Sequence, residues 1–274
     1  MTAPAPVSGQ VRSADGTALV FDRSGEGPAV ILVHGAFTDR THPLVEDVAA
    51  HLAPWFTVFN FDRRGRGASG DTSPYAVERE IEDLSALIHA AGGTAMVFGG
   101  SSGAGLAARA ASGLAAVTAL ALWEPPYHVD DSAPYVPDDF GAQLDRLVAA
   151  GRPGDAVARF MTEAAEVPAD TVAAMRAEPS WRELEALAHT LGREAAVMGP
   201  GNALPASLLG GLAQPTLVLT GGASPAWMSR AGEAVAAAVP RAVHRVLAGQ
   251  AHGVEAAPLA SELLEFFTTV DARG

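Results

Sequence analysis

The chain has 274 residues, 49% of them hydrophobic and 18% charged, enough for one large domain with room for an insertion. Its formal net charge of −13 disfavours nucleic acid and anionic membrane surfaces as partners. It has no cysteine, which excludes disulfides, thiolate metal sites and a cysteine nucleophile, and its 18 cationic side chains are all Arg, which excludes lysine Schiff-base chemistry.

The opening Met1-Thr-Ala-Pro-Ala-Pro lacks the basic flank and apolar core of a signal peptide and reads as a frayed lead. No unbroken apolar run of about 18 residues follows, so no transmembrane helix is predicted and a cytoplasmic location is expected. Residues 11–12 and 18–22 flank Asp15-Gly16, a hairpin signal. Residues 29–33 are continuously apolar, as in a strand buried on both faces, and run into His34-Gly35-Ala36-Phe37. Helical spacing over 44–52 is followed by a strand over 56–61 that ends in Asp62-Arg63-Arg64-Gly65-Arg66-Gly67. Over 75–91, Val77, Ile81, Leu84 and Ile88 share one helical face.

The next segment carries the most chemistry. An apolar run over 94–98 ends in Gly99-x-Ser101-x-Gly103, and a small-residue helical pattern over 106–111 follows at once. That order is strand, sharp turn, helix. Side chains at 99 and 103 would collide as the chain folds back, so glycine is needed there. The turn displays the Ser101 hydroxyl, and the helix N-terminus aims free N–H groups at the same spot. Counting Ser102 from Gly100 would put Ala104 in place of the second glycine, so the register with Ser101 at the apex fits better.

A strand over 117–123 ends in Glu124-Pro125-Pro126. From 127 to 210 the strand runs stop, and helical patterns over 140–150, 155–165, 169–177 and 181–198 take over, separated by Pro and Gly. The strand–helix rhythm resumes with a strand over 215–220, a helix over 226–239, a strand over 243–247 and a helix over 258–267. This predicts an α/β fold with a mostly parallel central sheet flanked by helices. Residues 1–126 and 211–274 form its core, and a helical lid, 127–210, is inserted between two sheet strands. Ligands bind at the C-terminal ends of parallel strands. The polar residues that follow the predicted strands are His34, Asp62, Ser101, Glu124, Ser224 and His252. A neutral imidazole at His252 could take a proton from Ser101 and return it to a leaving group.

Taken together, His34-Gly35 after a strand, the Asp62-to-Ser69 turn, the Ser101 elbow, the helical insert and Gly249-x-x-His252 resemble the α/β-hydrolase superfamily over residues 10–270. The order nucleophile, acid, histidine is that family's. One departure stands out. The family usually places its acid after the strand that follows the lid, but here that strand leads to Gly221-Gly-Ala-Ser224-Pro, and no carboxylate occurs between Gly221 and Gly232. Haloalkane dehalogenases and zearalenone-type lactonases carry their acid one strand earlier. The lactonases are also similar in a Ser-Ser-Gly-Ala elbow, a Glu before a Pro-containing turn, and a lid tryptophan.

The resemblance therefore implies Ser101, Glu124 and His252 as the catalytic set, with Asp62 the remaining candidate acid. It implies an oxyanion hole from the backbone N–H groups of Ser102 and Ala36, Phe37 being the alternative to Ala36. No Asp sits at the elbow, which disfavours epoxide hydrolase and dehalogenase chemistry. Substrate-lining candidates are Tyr127, His128, Phe160, Met161, Trp181, Leu184 and Met198, with Phe37 and Trp227 from the core. The expected activity is hydrolysis of a largely apolar carboxylic ester or lactone through an acyl-enzyme, without cofactor or metal, by a monomer or homodimer. The alternatives are a receptor-like binding protein of the same fold, or cofactor-free chemistry such as perhydrolysis, C–C bond cleavage or polyketide tailoring.

Overall fold

A computed structural model describes residues 6–272; the N-terminal lead over 1–5 lies outside the described residues. Eight strands form one sheet: β1 (Val7–Arg12), β2 (Ala18–Ser24), β3 (Ala29–Val33), β4 (Thr57–Phe61), β5 (Ala95–Gly100), β6 (Val117–Trp123), β7 (Thr216–Gly221) and β8 (Ala242–Leu247). Their spatial order is β1-β2-β4-β3-β5-β6-β7-β8. The β1–β2 hairpin and the β2–β4 pair are antiparallel, and every pairing from β4 to β8 is parallel. Alternate side chains of the central strands feed two cores. Ile31, Val33, Val97, Leu120 and Val218 face one side; Val30, Leu32, Met96, Ala121 and Leu217 face the other. Both faces are dry, so the central strands carry no polar alternation, and their continuous apolar runs follow.

The flanking helices are α1 (Pro43–Leu52), α2 (Val77–Ala90), α3 (Ser102–Gly113), α10 (Ala226–Ala238) and α11 (Ala256–Asp271). Helices α1 and α11 cover the second core through Val48, Leu52, Leu259, Leu263 and Phe267, and α2, α3 and α10 cover the first. Between β6 and β7 lie α4 (Phe140–Ala149), α5 (Pro153–Glu163), α6 (Ala169–Arg176), α7 (Trp181–Leu187), α8 (Leu191–Met198) and the short α9 (Ala206–Gly210). The first five of these have a small core of their own, built on Phe140, Leu144, Val157, Met161, Trp181 and Leu191. Ala36 and Phe37 pack onto its edge. No helix among the described residues is long and apolar enough to cross a membrane.

The close approach of α3 to the end of β3 fixes the centre of the molecule. A β-carbon on Gly103 would lie 2.4 Å from the Val33 carbonyl oxygen and 2.6 Å from that of His34; one on Gly99 would lie 2.5 Å from the Gly103 carbonyl oxygen. Both obstacles are backbone, so the chain cannot yield locally. Gly103→Ala is therefore expected to lower stability by about 1–3 kcal/mol, the usual cost of overpacking. Gly113→Ala, at the far end of the same helix with nothing within 4 Å of the added carbon, should shift stability by no more than about 0.5 kcal/mol. Urea midpoints at unchanged slope would read both; equal effects at the two positions would refute the close-approach argument.

Candidate active site

The sharp turn between β5 and α3 leaves Ser101 at φ 55°, ψ −128°, a region that L side chains rarely occupy. The turn is held by the Ser101 N–H, which donates to the Trp123 carbonyl at 2.8 Å. His252 lies in the loop between β8 and α11, and Glu124 immediately follows β6. These three side chains meet. The Glu124 Oε2 is 2.7 Å from His252 Nδ1, and His252 Nε2 is 3.2 Å from Ser101 Oγ. With Nδ1–H donating to the carboxylate, Nε2 is free to accept from the Ser101 hydroxyl. Glu124 is 1% exposed, and its second oxygen accepts the Gly221 N–H at 2.7 Å. The end of β7 thus supplies a donor to the carboxylate rather than a carboxylate. Ser224 beyond it has a buried hydroxyl with no partner. Asp62 is consumed elsewhere: it accepts from the backbone N–H of Arg40 and Ala68, each at 2.8 Å, and pairs with the Arg40 guanidinium.

The loop after β3 lies directly against this serine. A β-carbon on Gly35 would sit 3.0 Å from Ser101 Cβ and 3.5 Å from its Oγ. Phe37 in the same loop has φ 59°. Among the described residues, the N–H groups of Ala36 and Phe37 donate to no backbone carbonyl. On the other side, Ser102 opens helix α3, where backbone N–H groups have no intrahelical partner. Two sets of free donors therefore flank Ser101.

Two chambers meet at Ser101 and His252. The larger, about 330 Å³, is lined mainly by Phe37, Leu44, Val48, Phe98, Trp123, Met161, Val167 and Leu259. The smaller, about 160 Å³, is lined by Pro126, Phe140, Met198, Met228, Glu166, Glu194 and Asn202 among others. Phe160 and Ala165 line both. Among the described residues lining either chamber there is no Arg. The loop after α5 that carries Ala165 and Glu166 is fastened to α10 by the Trp227 indole N–H, which donates to Glu166. A larger groove, about 890 Å³, opens at the opposite end of the sheet beside Pro28, Thr94, Thr118 and Pro215 and holds no nucleophile–base pair. Among the described residues no cluster of three or more His, Asp or Glu is arranged to hold a metal ion.

Of the lining residues expected from sequence, Phe37 and Met161 face the larger chamber, Met198 the smaller and Phe160 both, whereas Tyr127, His128, Trp181, Leu184 and Trp227 line neither. Tyr127 is turned inward by the tight turn in which its N–H donates to the Pro125 carbonyl, and it packs fully buried against α3. His128 stands edge-on to Trp227, with ring centroids 5.5 Å apart. Trp181 belongs to the small core of the insertion, and its Nε1 donates to Glu185 at 3.2 Å. Apolar spacing marks burial without saying in which core, so it does not separate an aromatic side chain that lines a chamber from one that packs on a neighbouring helix. Sequence reasoning passed over Glu194, Glu166 and Ala165. For Glu194 a signal existed: it falls three residues after Leu191 and three before Val197, on the buried face of α8.

Several comparisons with known proteins bear on this geometry. The model of a family described as the alpha/beta hydrolase family matches residues 30–262. An alpha/beta hydrolase from Sphaerobacter thermophilus DSM 20745, known from its crystal structure, is 53% identical, with a TM-score of 0.88 covering 94% of this chain and 100% of that one. The esterase RhEst1 from Rhodococcus sp. ECU1013 is 23% identical with a TM-score of 0.67, covering 98% of this chain and 100% of that one, a likeness of fold alone. An uncharacterized hydrolase of Bacillus subtilis (strain 168), YraK, is 38% identical over 93 residues; the match spans 32% of this chain and only 34% of that relative.

Beneath the site lie buried charges. His34 is pushed down to about 3 by its burial, assisted by the nearby Arg66 and Arg63 guanidinium groups, and its Nε2 has no hydrogen-bond partner. For Glu80, burial opposes ionisation, but the Arg63 guanidinium at 2.7 Å outweighs it and holds the carboxyl down to about 2. Both shifts act in one direction. The unfolded chain takes up a proton on His34 below its ordinary 6.5 and on Glu80 below its ordinary 4.5, while the folded protein does not. Stability present above pH 6.5 is therefore lost as pH falls, first through His34 and then through Glu80. Tm measured from pH 7 to pH 4 should decline, and His34→Gln should flatten the part between 6.5 and 4.5. An unchanged slope in that variant would show that His34 carries no such linkage.

Proposed function

From a chain that belongs to the alpha/beta hydrolase family, we propose a serine hydrolase that cleaves a carboxylic ester or lactone of an uncharged, largely apolar substrate. The observation that carries this reading is the continuous hydrogen-bonded line from Glu124 through His252 to Ser101, set at the junction of two chambers. Ser101 Oγ attacks the carbonyl carbon and its proton passes to His252 Nε2. The carbonyl oxygen becomes an oxyanion facing the N–H groups of Ser102 and Ala36. The tetrahedral adduct collapses, the C–O bond breaks, and the imidazolium returns the proton to the departing alkoxide, which in a lactone stays tethered to the acyl chain. Water then repeats the sequence on the acyl-enzyme, giving up its proton to His252 and releasing the acid. Glu124 holds the imidazole in the tautomer that this requires and balances the imidazolium charge.

The helices over 127–210 act as a lid on the core formed by 1–126 and 211–274. Phe160 and Ala165 from the lid line both chambers beside Ser101 and separate the two halves of the substrate, with Met161 in the wall of the larger. The chemistry of the walls defines the substrate class. A carboxylate on either half would be desolvated with no cation facing it, at a cost of several kcal/mol. The free donors beside Ser101 suit an oxyanion that forms during reaction, not a resident charge.

Ser101→Ala should abolish covalent labelling by a fluorophosphonate. Ser102→Ala should still be labelled, more slowly; the reverse pattern would move the nucleophile to Ser102. Glu124→Gln keeps the shape and loses the charge, and turnover of a p-nitrophenyl ester is expected to fall at least about 10²-fold, the lower side of what disabling a triad acid costs. Near-normal turnover would leave His252 without need of an acid. For the walls, an ester with a neutral alkyl acyl group should exceed its ω-carboxylate counterpart of equal length by at least about 10²-fold in kcat/KM, since each 1.4 kcal/mol is about tenfold. Equal rates would reject the uncharged-substrate reading.

A further inference from the structure

Glu194 is 1% exposed, sits on helix α8 of the insertion and lies outside the Ser101–His252–Glu124 line. Its Oε2 accepts from the Ser102 hydroxyl at 2.5 Å and from Arg63 Nη1 at 3.0 Å, and its Oε1 pairs with Arg66. The two arginines in turn hold the loop on the other side of Ser101. The same Arg63 Nη1 donates to the His34 carbonyl at 3.0 Å, and Arg66 Nη1 donates to the carbonyls of Gly35 at 2.5 Å and Thr38 at 3.1 Å. One carboxylate therefore touches the residue that supplies one free N–H and, through two guanidinium groups, the turn that supplies the other.

We propose that Glu194 is a positioning residue that sets both walls of the oxyanion site, so that the site has its working geometry only when α8 is seated on the core. The proposal rests on the serine-hydrolase reading. Glu194 can hold this place because the charges around it are matched: Arg63 and Arg66 face Glu194 and Glu80, all within a few per cent of full burial. Among the described residues Arg66 has Glu194 as its one salt-bridge partner. Burial pulls Arg66 below its ordinary value and the charge of Glu194 opposes that pull. For Arg63 burial pulls the same way, but Glu194 and Glu80 overcome it and hold the guanidinium well above its ordinary value. The α8 carboxylate is thus the ionic partner of Arg66 and shares Arg63 with Glu80 at the base of the loop.

Glu194→Gln puts an amide N–H₂ against either the Ser102 hydroxyl and Arg63 or against Arg66, and both arrangements oppose a donor to a donor. Removing a whole oxyanion donor costs about 10²–10³-fold, and misplacing two should cost about 10–10²-fold in kcat with KM within about threefold. A trifluoromethyl ketone, which Ser101 converts to an oxyanion adduct, separates positioning from packing when compared with the alcohol of the same shape, which forms none. Inhibition by the ketone should weaken in parallel with kcat, and inhibition by the alcohol should hold. A kcat within twofold of wild type, a loss confined to KM, or equal weakening of ketone and alcohol would overturn the proposal. Should Glu194→Gln fail to fold, Ser102→Ala decides: it removes only the hydroxyl that Glu194 grips and keeps the backbone N–H. It should show the same ketone-selective loss at about 3–10-fold, and unchanged ketone inhibition would overturn the proposal. Wild-type protein that neither hydrolyses p-nitrophenyl esters nor takes a fluorophosphonate label would instead overturn the serine-hydrolase reading itself.

Discussion

A backbone forced into the Ser101 conformation at φ 55°, ψ −128° costs a residue with a side chain about 1–3 kcal/mol, and it survives only where the surroundings leave no other route. Here the surroundings are the ends of the two strands beside β5, β3 and β6. Helix α3 is pressed onto the carbonyls of Val33 and His34 at the end of β3, with no room for a β-carbon at Gly103. The Ser101 N–H is tied to the last residue of β6. Gly35 closes from the other side. None of these contacts is a side-chain interaction that a rotamer change could relieve. The turn is determined by backbone against backbone, and the serine hydroxyl is fixed in space before any other group of the site is placed.

With the serine fixed, the histidine and the carboxylate must come to it. A carboxylate beyond β7 would face the loop after β8 directly. Here that stretch runs Gly221-Gly-Ala-Ser-Pro, and the group that reaches His252 comes from the adjacent strand β6 instead. Glu124 has φ 42°, a third non-glycine residue with positive φ at this edge of the sheet, after Phe37 and Ser101. Its longer side chain spans the gap, and the free backbone N–H of Gly221 stabilises its other oxygen. The carboxylate thus has both oxygens in contact with a partner while fully enclosed, so neither is buried unsatisfied.

The sheet was legible because strands buried on both faces write themselves as unbroken apolar runs. Predicted and observed bounds of β3 and β6 coincide, and those of β4, β7 and β8 differ by a residue at one or both ends. The apolar pattern predicts α3 only over 106–111 rather than Ser102–Gly113, since Gly and Ser in its first turn carry no apolar period although they are buried. Ser101 and His252 were legible from their place after strands. Glu124 was legible partly through an absence, the missing carboxylate beyond β7. The chamber lining was legible only in part, through Phe37, Phe160, Met161 and Met198. Tyr127 and Trp181 have the composition of a pocket wall, but a single turn at Pro125 and the private core of the insertion direct them elsewhere. Whether an aromatic side chain faces substrate or a neighbouring helix depends on tertiary placement, which apolar spacing does not encode.

Buried ion networks are weak sources of stability, because desolvating each charge cancels much of what the pairing returns, and apolar replacements of equal volume often do as well. The cluster of Arg63, Arg66, Glu80 and Glu194 therefore calls for a reason other than cohesion. Leucine in place of Arg66 would fill its volume, but the Thr38 carbonyl would lose its guanidinium donor and Gly35 would keep only the Thr38 hydroxyl. These carbonyls belong to the turn that carries the N–H groups of Ala36 and Phe37, unpaired among the described residues. An apolar contact is non-directional and lets such a turn rotate; a guanidinium in contact with two carbonyls and a carboxylate does not. The same network runs through Glu194 into the insertion, so one set of buried charges touches both the wall of the smaller chamber and the turn beside the serine. Charge is placed here where direction matters, and hydrocarbon where only volume does.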